Sequence, residues 1–353
     1  MSKAEDEKFM RRCLDLAVKA EGFTYPNPLV GSVIVHDDRI TGEGFHMKAG
    51  SPHAEVLAIR SAGIMEKLKN STLYVNLEPC SHFGKTPPCV DLIISAGIPR
   101  IVVGTTDTSE KVSGAGLLKL REAGCEVITG VLEEDCRRIN RRFFTFHEKR
   151  RPYITLKWAQ SADGFIDRVR LPEMDNRPEW ITGMPERVLV HRWRASEEAI
   201  LVGANTFRLD SPQLNVRDWT GKDPVRLILS RSGLIESSSL LNDKAGPALI
   251  FTHNRDTDLP GAGVVLLNDE KSAAEQVSEY LYGMGIQSLF IEGGTRVIEH
   301  FVSLNMWDEA RIFTGRDQFR GGVRAPGIKG KVIFETIFFE SHLKVILKDS
   351  NTE

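Results

Sequence analysis

The sequence predicts an α/β protein of two domains. Its 353 residues, at roughly 150 per domain, favour two. Helical and strand periodicities alternate along it, a pattern that buries mixed sheets between helices. A hydrophobic content of 41% with 27% charged residues is that of an ordinary globular protein.

The elements follow in order. Ser2 and Glu5 stand in capping-box spacing ahead of Phe9, Cys13, Leu16, Ala17 and Ala20 at helical intervals. A Gly-Pro-Asn stretch at 22–28 ends that helix. Residues 30–36 form a β-branched strand, Asp37-Asp38 a turn, and 40–45 the hairpin partner. A helix over 53–62 stops at Gly63, and 71–77 is a strand. Pro87-Pro88 opens a helix that runs through Ser95 and closes at Gly97. Strand 101–104, helix 115–123, strand 125–129 and helix 132–144 complete the first half. A basic stretch over 137–151 ends at Pro152 and reads as a solvated helix face and linker, so the domains are expected at 1–148 and 149–353. The second half shows strands at 153–159, 198–202, 225–229, 248–252, 264–266, 288–292 and 309–313, with helices at 185–194, 272–283 and 295–303.

Charge and cysteine usage exclude several function classes. The chain carries 46 basic and 48 acidic side chains, whereas a polyphosphate binder is usually lopsidedly basic. Five cysteines are too few, and odd in number, for a secreted disulfide scaffold. The first eight residues are charged and lack the apolar core of a signal peptide. No apolar run approaches the ~18 residues that span a bilayer. A reducing cytoplasm is the expected compartment.

His53-Ala54-Glu55 opens a helix, Pro79-Cys80 follows a strand, and Cys89 stands on the first turn of the next helix. One His and two Cys make three zinc ligands and leave a fourth position for water. The helix starts favour thiolates at Cys80 and Cys89. Zinc lowers the pKa of water to about 7, and Glu55, two residues past His53, is placed as the proton shuttle rather than a ligand. A lone His-x-Glu is mostly structural, but two further ligand turns at strand-to-helix junctions make coincidence unconvincing. Cys13, Cys125 and Cys136 read as small core residues, and His82 as a loop histidine. Eight residues separate Cys80 from Cys89, where zinc deaminases commonly have two. The insertion brings Lys85 beside the metal, suited to an anionic group.

The second half contains no Gly-x-Gly-x-x-Gly, so a Rossmann site has no support. Glu292-Gly293-Gly294-Thr295 follows an apolar strand and opens a helix, a turn whose amides can cradle an anion. Arg194, Arg208 and Arg217 bracket a strand-loop segment, Val202-Gly203-Ala204-Asn205-Thr206. By themselves these features also suit a tight turn and solvated arginines.

In order, Thr24-Tyr25-Pro26-Asn27-Pro28-Leu29-Val30-Gly31, Gly42-Glu43-Gly44-Phe45-His46, His53-Ala54-Glu55-Val56 and the stretch from Glu78-Pro79-Cys80 to Pro87-Pro88-Cys89 resemble the bifunctional riboflavin biosynthesis deaminase–reductase family. So do Trp158-Ala159-Gln160-Ser161-Ala162-Asp163-Gly164, Glu179-Trp180-Ile181-Thr182, Asp210-Ser211-Pro212-Gln213-Leu214-Asn215-Val216-Arg217 and Glu292-Gly293-Gly294. The resemblance implies a cytidine-deaminase-like domain followed by a dihydrofolate-reductase-like domain that uses NADPH. It implies hydrolytic deamination of a diaminohydroxypyrimidine bearing a ribosylamino phosphate, then reduction of the ribosyl chain to ribityl. Asn27, His46, Lys85 and Asp107 match the family's deaminase substrate positions. Ala159, Trp180, Thr206, Asp210 and Gly293-Gly294-Thr295 match cofactor positions, and Lys157, Arg194, Leu214, Arg217 and Glu292 match reductase substrate positions. Lys157 and Glu292 both stand as candidates to polarise or protonate an imine. The chain departs from the family at Thr108-Ser109-Glu110, at Pro178, and at Ser230-Arg231, where an acidic-serine pair is common. The implied partner is a small phosphorylated pyrimidine, with neither nucleic acid nor membrane, and self-association is left open. The competing expectation is a zinc deaminase of another base or nucleotide with a non-catalytic, nucleotide-binding second domain.

Overall fold

The computed structural model describes residues 2–63, 65–83, 87–108, 114–168, 180–235, 248–258 and 261–349. The chain divides into two compact units, Met1–Arg150 and Arg151–Glu353. No helix among the described residues is long and apolar enough to cross a membrane.

Among the described residues, the first unit holds α1 (Lys3–Ala17), a 3-10 turn (Val18–Ala20), β1 (Gly31–His36), β2 (Arg39–Phe45), α2 (Ala54–Ala62), α3 (Met65–Leu68) and β3 (Thr72–Leu77). It continues with α4 (Cys89–Ser95), β4 (Arg100–Thr105), α5 (Ala115–Glu122), β5 (Glu126–Thr129), α6 (Glu133–Ile139) and α7 (Arg141–Lys149). The strand order is β2-β1-β3-β4-β5. β1 is antiparallel to β2 and β3, while β3, β4 and β5 are parallel. Helices cover both faces, so the central strands are apolar on successive residues. Ile34, Leu73, Val75, Ile101 and Val103 meet Ala58 and Ile59 of α2, Val90 and Ile93 of α4 and Leu120 of α5. The alternate residues Val33, Val35, Tyr74 and Val102 meet Phe9, Met10, Cys13 and Leu16 of α1 and Cys136 of α6. A Cβ on Gly31 would overlap the Cys13 carbonyl oxygen, so α1 packs against β1 at a contact only glycine permits. Cys125, expected in the core, is only half-buried.

Residues 132–144, expected as one helix, break at Asn140 (φ −99°, ψ 18°) into α6 and α7. The Asn140 amide is committed elsewhere: its Oδ1 accepts from the Leu29 amide at 2.8 Å and its Nδ2 donates to the Leu29 carbonyl at 2.9 Å. At the break the Asn140 backbone amide bonds back to the Arg137 carbonyl at 3.1 Å, a tight 3-10 closure of α6, while its side chain ties the junction to Leu29.

Among the described residues, the second unit begins with β6 (Tyr153–Gln160), β7 (Phe165–Asp167), α8 (Met184–Ala195), β8 (Ala199–Gly203), α9 (Ala204–Asp210), β9 (Val225–Leu229), β10 (Ala248–Thr252) and β11 (Ala262–Leu266). It ends with α10 (Ala273–Gly283), β12 (Ser288–Ile291), α11 (Thr295–Ser303), β13 (Glu309–Thr314), β14 (Val323–Arg324), β15 (Lys331–Phe338) and β16 (Ser341–Leu347). The large sheet runs β11-β10-β9-β8-β12-β6-β13-β16-β15, with β7 and β14 in a separate ribbon. The run from β11 to β13 is parallel, and β16 and β15 return antiparallel. Ala274, Val277 and Leu281 of α10 and Val297, Ile298 and Phe301 of α11 cover one face. Phe207 of α9 and Val190 of α8 cover the other. In such sheets the loops after the carboxyl ends of the strands form the ligand crevice.

Candidate functional site

His53 caps α2, Cys89 is the first residue of α4, and Cys80 follows the end of β3. Among the described residues they form the one cluster of His, Cys and carboxylate groups able to hold a metal ion, with their ligand atoms within 4.8 Å of one another. His53 Nδ1 lies 3.5 Å from Cys80 Sγ and 3.2 Å from Cys89 Sγ. Tetrahedral zinc with ordinary bond lengths spaces such atoms roughly 3.5–3.8 Å apart, so the donor set and its spacing fit zinc. The Cys89 amide donates to Cys80 Sγ at 3.3 Å. The side-chain hydrogen bond from Cys89 holds the Cys80 thiol down to about 4, with His53 acting the same way against burial. That same bond, with burial, displaces Cys89 upward. Glu55 on the first turn of α2 is buried, and burial lifts its carboxyl above the usual range. Such a group takes up a proton more readily than a solvated carboxylate, as a proton shuttle must.

Asn27 and His46 are brought beside this cluster. Asn27 Nδ2 donates to His46 Nε2 at 3.0 Å, and His46 Nδ1 faces the Pro52 carbonyl at 3.2 Å. Both contacts are satisfied by the neutral tautomer with its proton on Nδ1. Burial keeps His46 below its ordinary range, in keeping with that form. Its ring stands edge-on to His53 with centroids 5.5 Å apart. Asp107 is buried beyond the end of β4, the strand next to β3. His82 is exposed and outside the cluster. Lys85, Ser109, Glu110 and Pro178 lie outside the described residues.

Three supporting residues escaped the sequence reading. Asn76 on β3 accepts from the Gly31 amide at 2.7 Å and donates to the Leu29 carbonyl at 3.0 Å. With Asn140 it pins the chain that carries Asn27. Glu78 is buried and accepts from the amides of Asp107, Gly114, Gly116 and Leu117 at 3.0–3.4 Å, which holds the loop of Asp107. A polar residue inside the apolar run Tyr74-Val75-Asn76-Leu77 was the available signal for the first.

In the second unit a cavity of about 1680 Å³ opens over the ends of β8, β9 and β12. The expected cofactor residues Ala159, Trp180, Thr206, Asp210 and Gly293-Gly294-Thr295 all line it. So do the expected substrate residues Lys157, Arg194, Leu214, Arg217 and Glu292. A Cβ added at Gly293 would meet Thr206 Cγ2 at 3.0 Å, and one at Gly294 would meet Thr206 Oγ1 at 3.0 Å. Gly294 also has φ 73°. The turn is thus a bare-backbone cradle before α11, and it fits a phosphate-bearing nucleotide. Arg194 grips Glu292 with two hydrogen bonds of 2.6 and 2.7 Å. Burial pushes the Glu292 carboxyl up, but the Arg194 charge and hydrogen bonds outweigh it and leave the group below the usual range. Burial pushes Lys157 down, partly opposed by Glu292. Ser230 and Arg231 lie at the cavity edge after β9.

Family models match two stretches of the chain: the cytidine and deoxycytidylate deaminase zinc-binding region over residues 3–105, and the RibD C-terminal domain over 152–336. The riboflavin biosynthesis protein RibD of Aquifex aeolicus is 42% identical over 318 residues, covering 89% of this chain and 87% of that protein. The Escherichia coli protein of the same name is 33% identical over 348 residues, covering 92% of each. A solved diaminohydroxyphosphoribosylaminopyrimidine deaminase/5-amino-6-(5-phosphoribosylamino)uracil reductase from Thermotoga maritima superposes with a TM-score of 0.88 at 37% identity, covering 98% of this chain and 99% of its own. RibD from Acinetobacter baumannii superposes at 0.84 with 29% identity, covering 99% and 100%. The expected cytidine-deaminase-like and dihydrofolate-reductase-like folds both hold.

Proposed function

The chain belongs to the riboflavin biosynthesis protein RibD family, and from that premise we propose how its residues divide the work. It is a bifunctional deaminase and reductase of riboflavin biosynthesis. Its first site hydrolyses the ring amino group of the diaminohydroxypyrimidine ribosylamino phosphate, and its second reduces the ribosyl chain of the resulting uracil to ribityl. One observation carries this reading. A single chain holds both a His-Cys-Cys cluster beside a buried carboxylate and, in its other unit, a cavity with a glycine cradle and paired buried charges.

In the first site His53, Cys80 and Cys89 would hold zinc, which would make water acidic enough to attack at neutral pH. Glu55 takes the proton of the attacking water, passes it to the ring nitrogen, and assists departure of ammonia. His46 fixes the Asn27 amide, whose oxygen is then the group free to accept from the substrate. Asp107 and Lys85 complete the substrate contacts, Lys85 as a point charge for phosphate.

In the second site NADPH supplies hydride chemistry at the ribose carbon bonded to nitrogen. The ring-opened sugar presents a C=N bond whose carbon would take the cofactor's hydride, leaving the chain's own residues to supply a proton to its nitrogen. Glu292 is poorly suited to donate that proton, because both its oxygens accept from Arg194 and its carboxyl is held low. Lys157 is half-buried in the cavity wall, and loss of solvent makes its ammonium easier to deprotonate than a fully solvated one. Lys157 is therefore assigned as proton donor, and Glu292 as the fixed counter-charge that orients Arg194. The choice of NADPH over NADH is supported at turn 230–232. This turn carries no carboxylate, its Ser230 Oγ is buried without a partner, and Arg231 is exposed at the cavity. An arginine there suits a 2′-phosphate, whereas NAD sites typically place a carboxylate against the 2′-hydroxyl. The thiol ligand set suits a reducing cytoplasm.

The test is purified protein given the diaminopyrimidine ribosyl phosphate and assayed for ammonia, then for NADPH oxidation. Ammonia without NADPH loss retires the reductase assignment. Less than about half a zinc per chain in protein purified without chelator retires the metal.

A further inference from the structure

Helix α8 carries Arg187, His191 and Arg194 at positions i, i+4 and i+7, one stripe of the helix. That stripe faces a segment without regular structure, residues 215–218. Arg194 Nη1 donates to the Asn215 carbonyl at 3.0 Å. The Arg217 amide donates to His191 Nδ1 at 3.2 Å. His191 Nε2 stands 3.3 Å from Asp218 Oδ2, and Arg187 Nε stands 2.9 Å from the same oxygen. The neighbouring Val216 amide donates to Asp223 at 2.7 Å. Successive amides of the segment are therefore held by side chains. The Arg217 guanidinium remains 39% exposed and lines the reductase cavity.

We propose that His191 is a positioning residue which sets Arg217 in the reductase cavity and so governs affinity for the anionic substrate without touching it. The inference rests on Arg217 being a substrate-binding residue. Its physical basis is the tautomer. A ring that accepts at Nδ1 carries its proton on Nε2, 3.3 Å from Asp218 Oδ2 but without hydrogen-bond geometry, so the Arg217 amide is the contact that requires this neutral form. Burial, with the charges of Arg194 and Arg217, holds the ring down to about 4 against the pull of Asp218 and Glu292. A protonated ring would lose the Nδ1 acceptor and release the Arg217 amide. A buried histidine in a core is commonly just a satisfied polar group. This one differs in its partner, because the amide it holds belongs to the one residue of the segment whose cation lines the cavity.

The test uses the full-length enzyme, supplied deaminated intermediate and NADPH, with each KM measured separately and melting temperature alongside. His191→Asn keeps an acceptor at the Nδ1 position, and His191→Gln keeps only the reach to Asp218. His191→Gln and His191→Ala should raise the KM for the intermediate roughly tenfold, the scale of one lost hydrogen bond. The KM for NADPH should stay within about twofold, and His191→Asn should restore most of the loss. Equal KM values for the Asn and Gln variants would overturn the proposal, as would a rise in both KM values together. Arg217→Ala is run in parallel. If it raises the KM for the intermediate while the His191 variants do not, the His191 proposal fails alone. If Arg217→Ala leaves that KM unchanged, the substrate role of Arg217 fails, and the proposal with it.

Discussion

Glu55 is buried and the Glu292 side chain is 7% exposed, and the two carboxyls shift in opposite directions. Glu55 is lifted by burial, with Cys80 adding to the shift and His53 only partly opposing it. Glu292 has the doubly bonded Arg194 and stays ionised. Glu55→Gln keeps the shape and the zinc ligands but removes the proton carrier. Ammonia release should fall about 10²–10⁴-fold, with zinc content and NADPH oxidation of supplied intermediate unchanged. Loss of both activities in a folded variant would contradict separate sites. Arg231 decides a different choice. Arg231→Gln should lower kcat/KM for NADPH about tenfold to a hundredfold, the worth of a charge-assisted hydrogen bond, and leave NADH turnover unchanged. An equal loss with both coenzymes would show that Arg231 does not read the 2′-phosphate. The His53, Cys80 and Cys89 cluster was legible because each member stands in its own short motif at a strand-to-helix junction. The choice between Lys157 and Glu292 was not, because it depends on Arg194, 98 residues from Glu292.

Among the elements, the turn into α11 carries the sharpest requirement. Gly294 has φ 73°, and a Cβ there would press on Thr206 Oγ1 at 3.0 Å. A non-glycine residue in such backbone costs about 1–3 kcal/mol. Gly294→Ala should raise the KM for the coenzyme at least about tenfold while ammonia release is untouched. Unchanged coenzyme kinetics would remove the turn from the binding site. Most strands and helices follow the apolar periodicity, and the exceptions have physical causes. The hairpin β15–β16 went unread although 331–338 is rich in β-branched and aromatic residues; as an edge strand, β15 leaves Val332, Phe334 and Ile337 exposed. Helix α9, seven residues with only Phe207 buried, is too short to show a stripe. The break between α6 and α7 falls at Asn140, whose side chain is tied to Leu29, 111 residues away, a partner no local pattern contains.

For the whole molecule, two compact units each carry one chemistry, and removal of the metal should separate them. Dialysis against a strong zinc chelator should abolish ammonia release, and added zinc should restore it. Reduction of supplied intermediate should persist, because no zinc ligand belongs to the second unit's cavity. Parallel loss of both activities, without precipitation, would show that the metal supports more than the first site. The sequence by itself determined the α/β class and the two-domain organisation, and it named His53, Cys80 and Cys89, which the fold brings together, and the buried Glu55. These rest on periodicity, on length and on motifs whose members are neighbours at strand-to-helix junctions. The tertiary structure alone decided which charges are paired, as Arg194 is with Glu292, and which side chains hold the backbone amides of Asp107 and Arg217. Each of those depends on desolvation and on partners tens to a hundred residues away, and free energies of that kind exist only once the chain has folded.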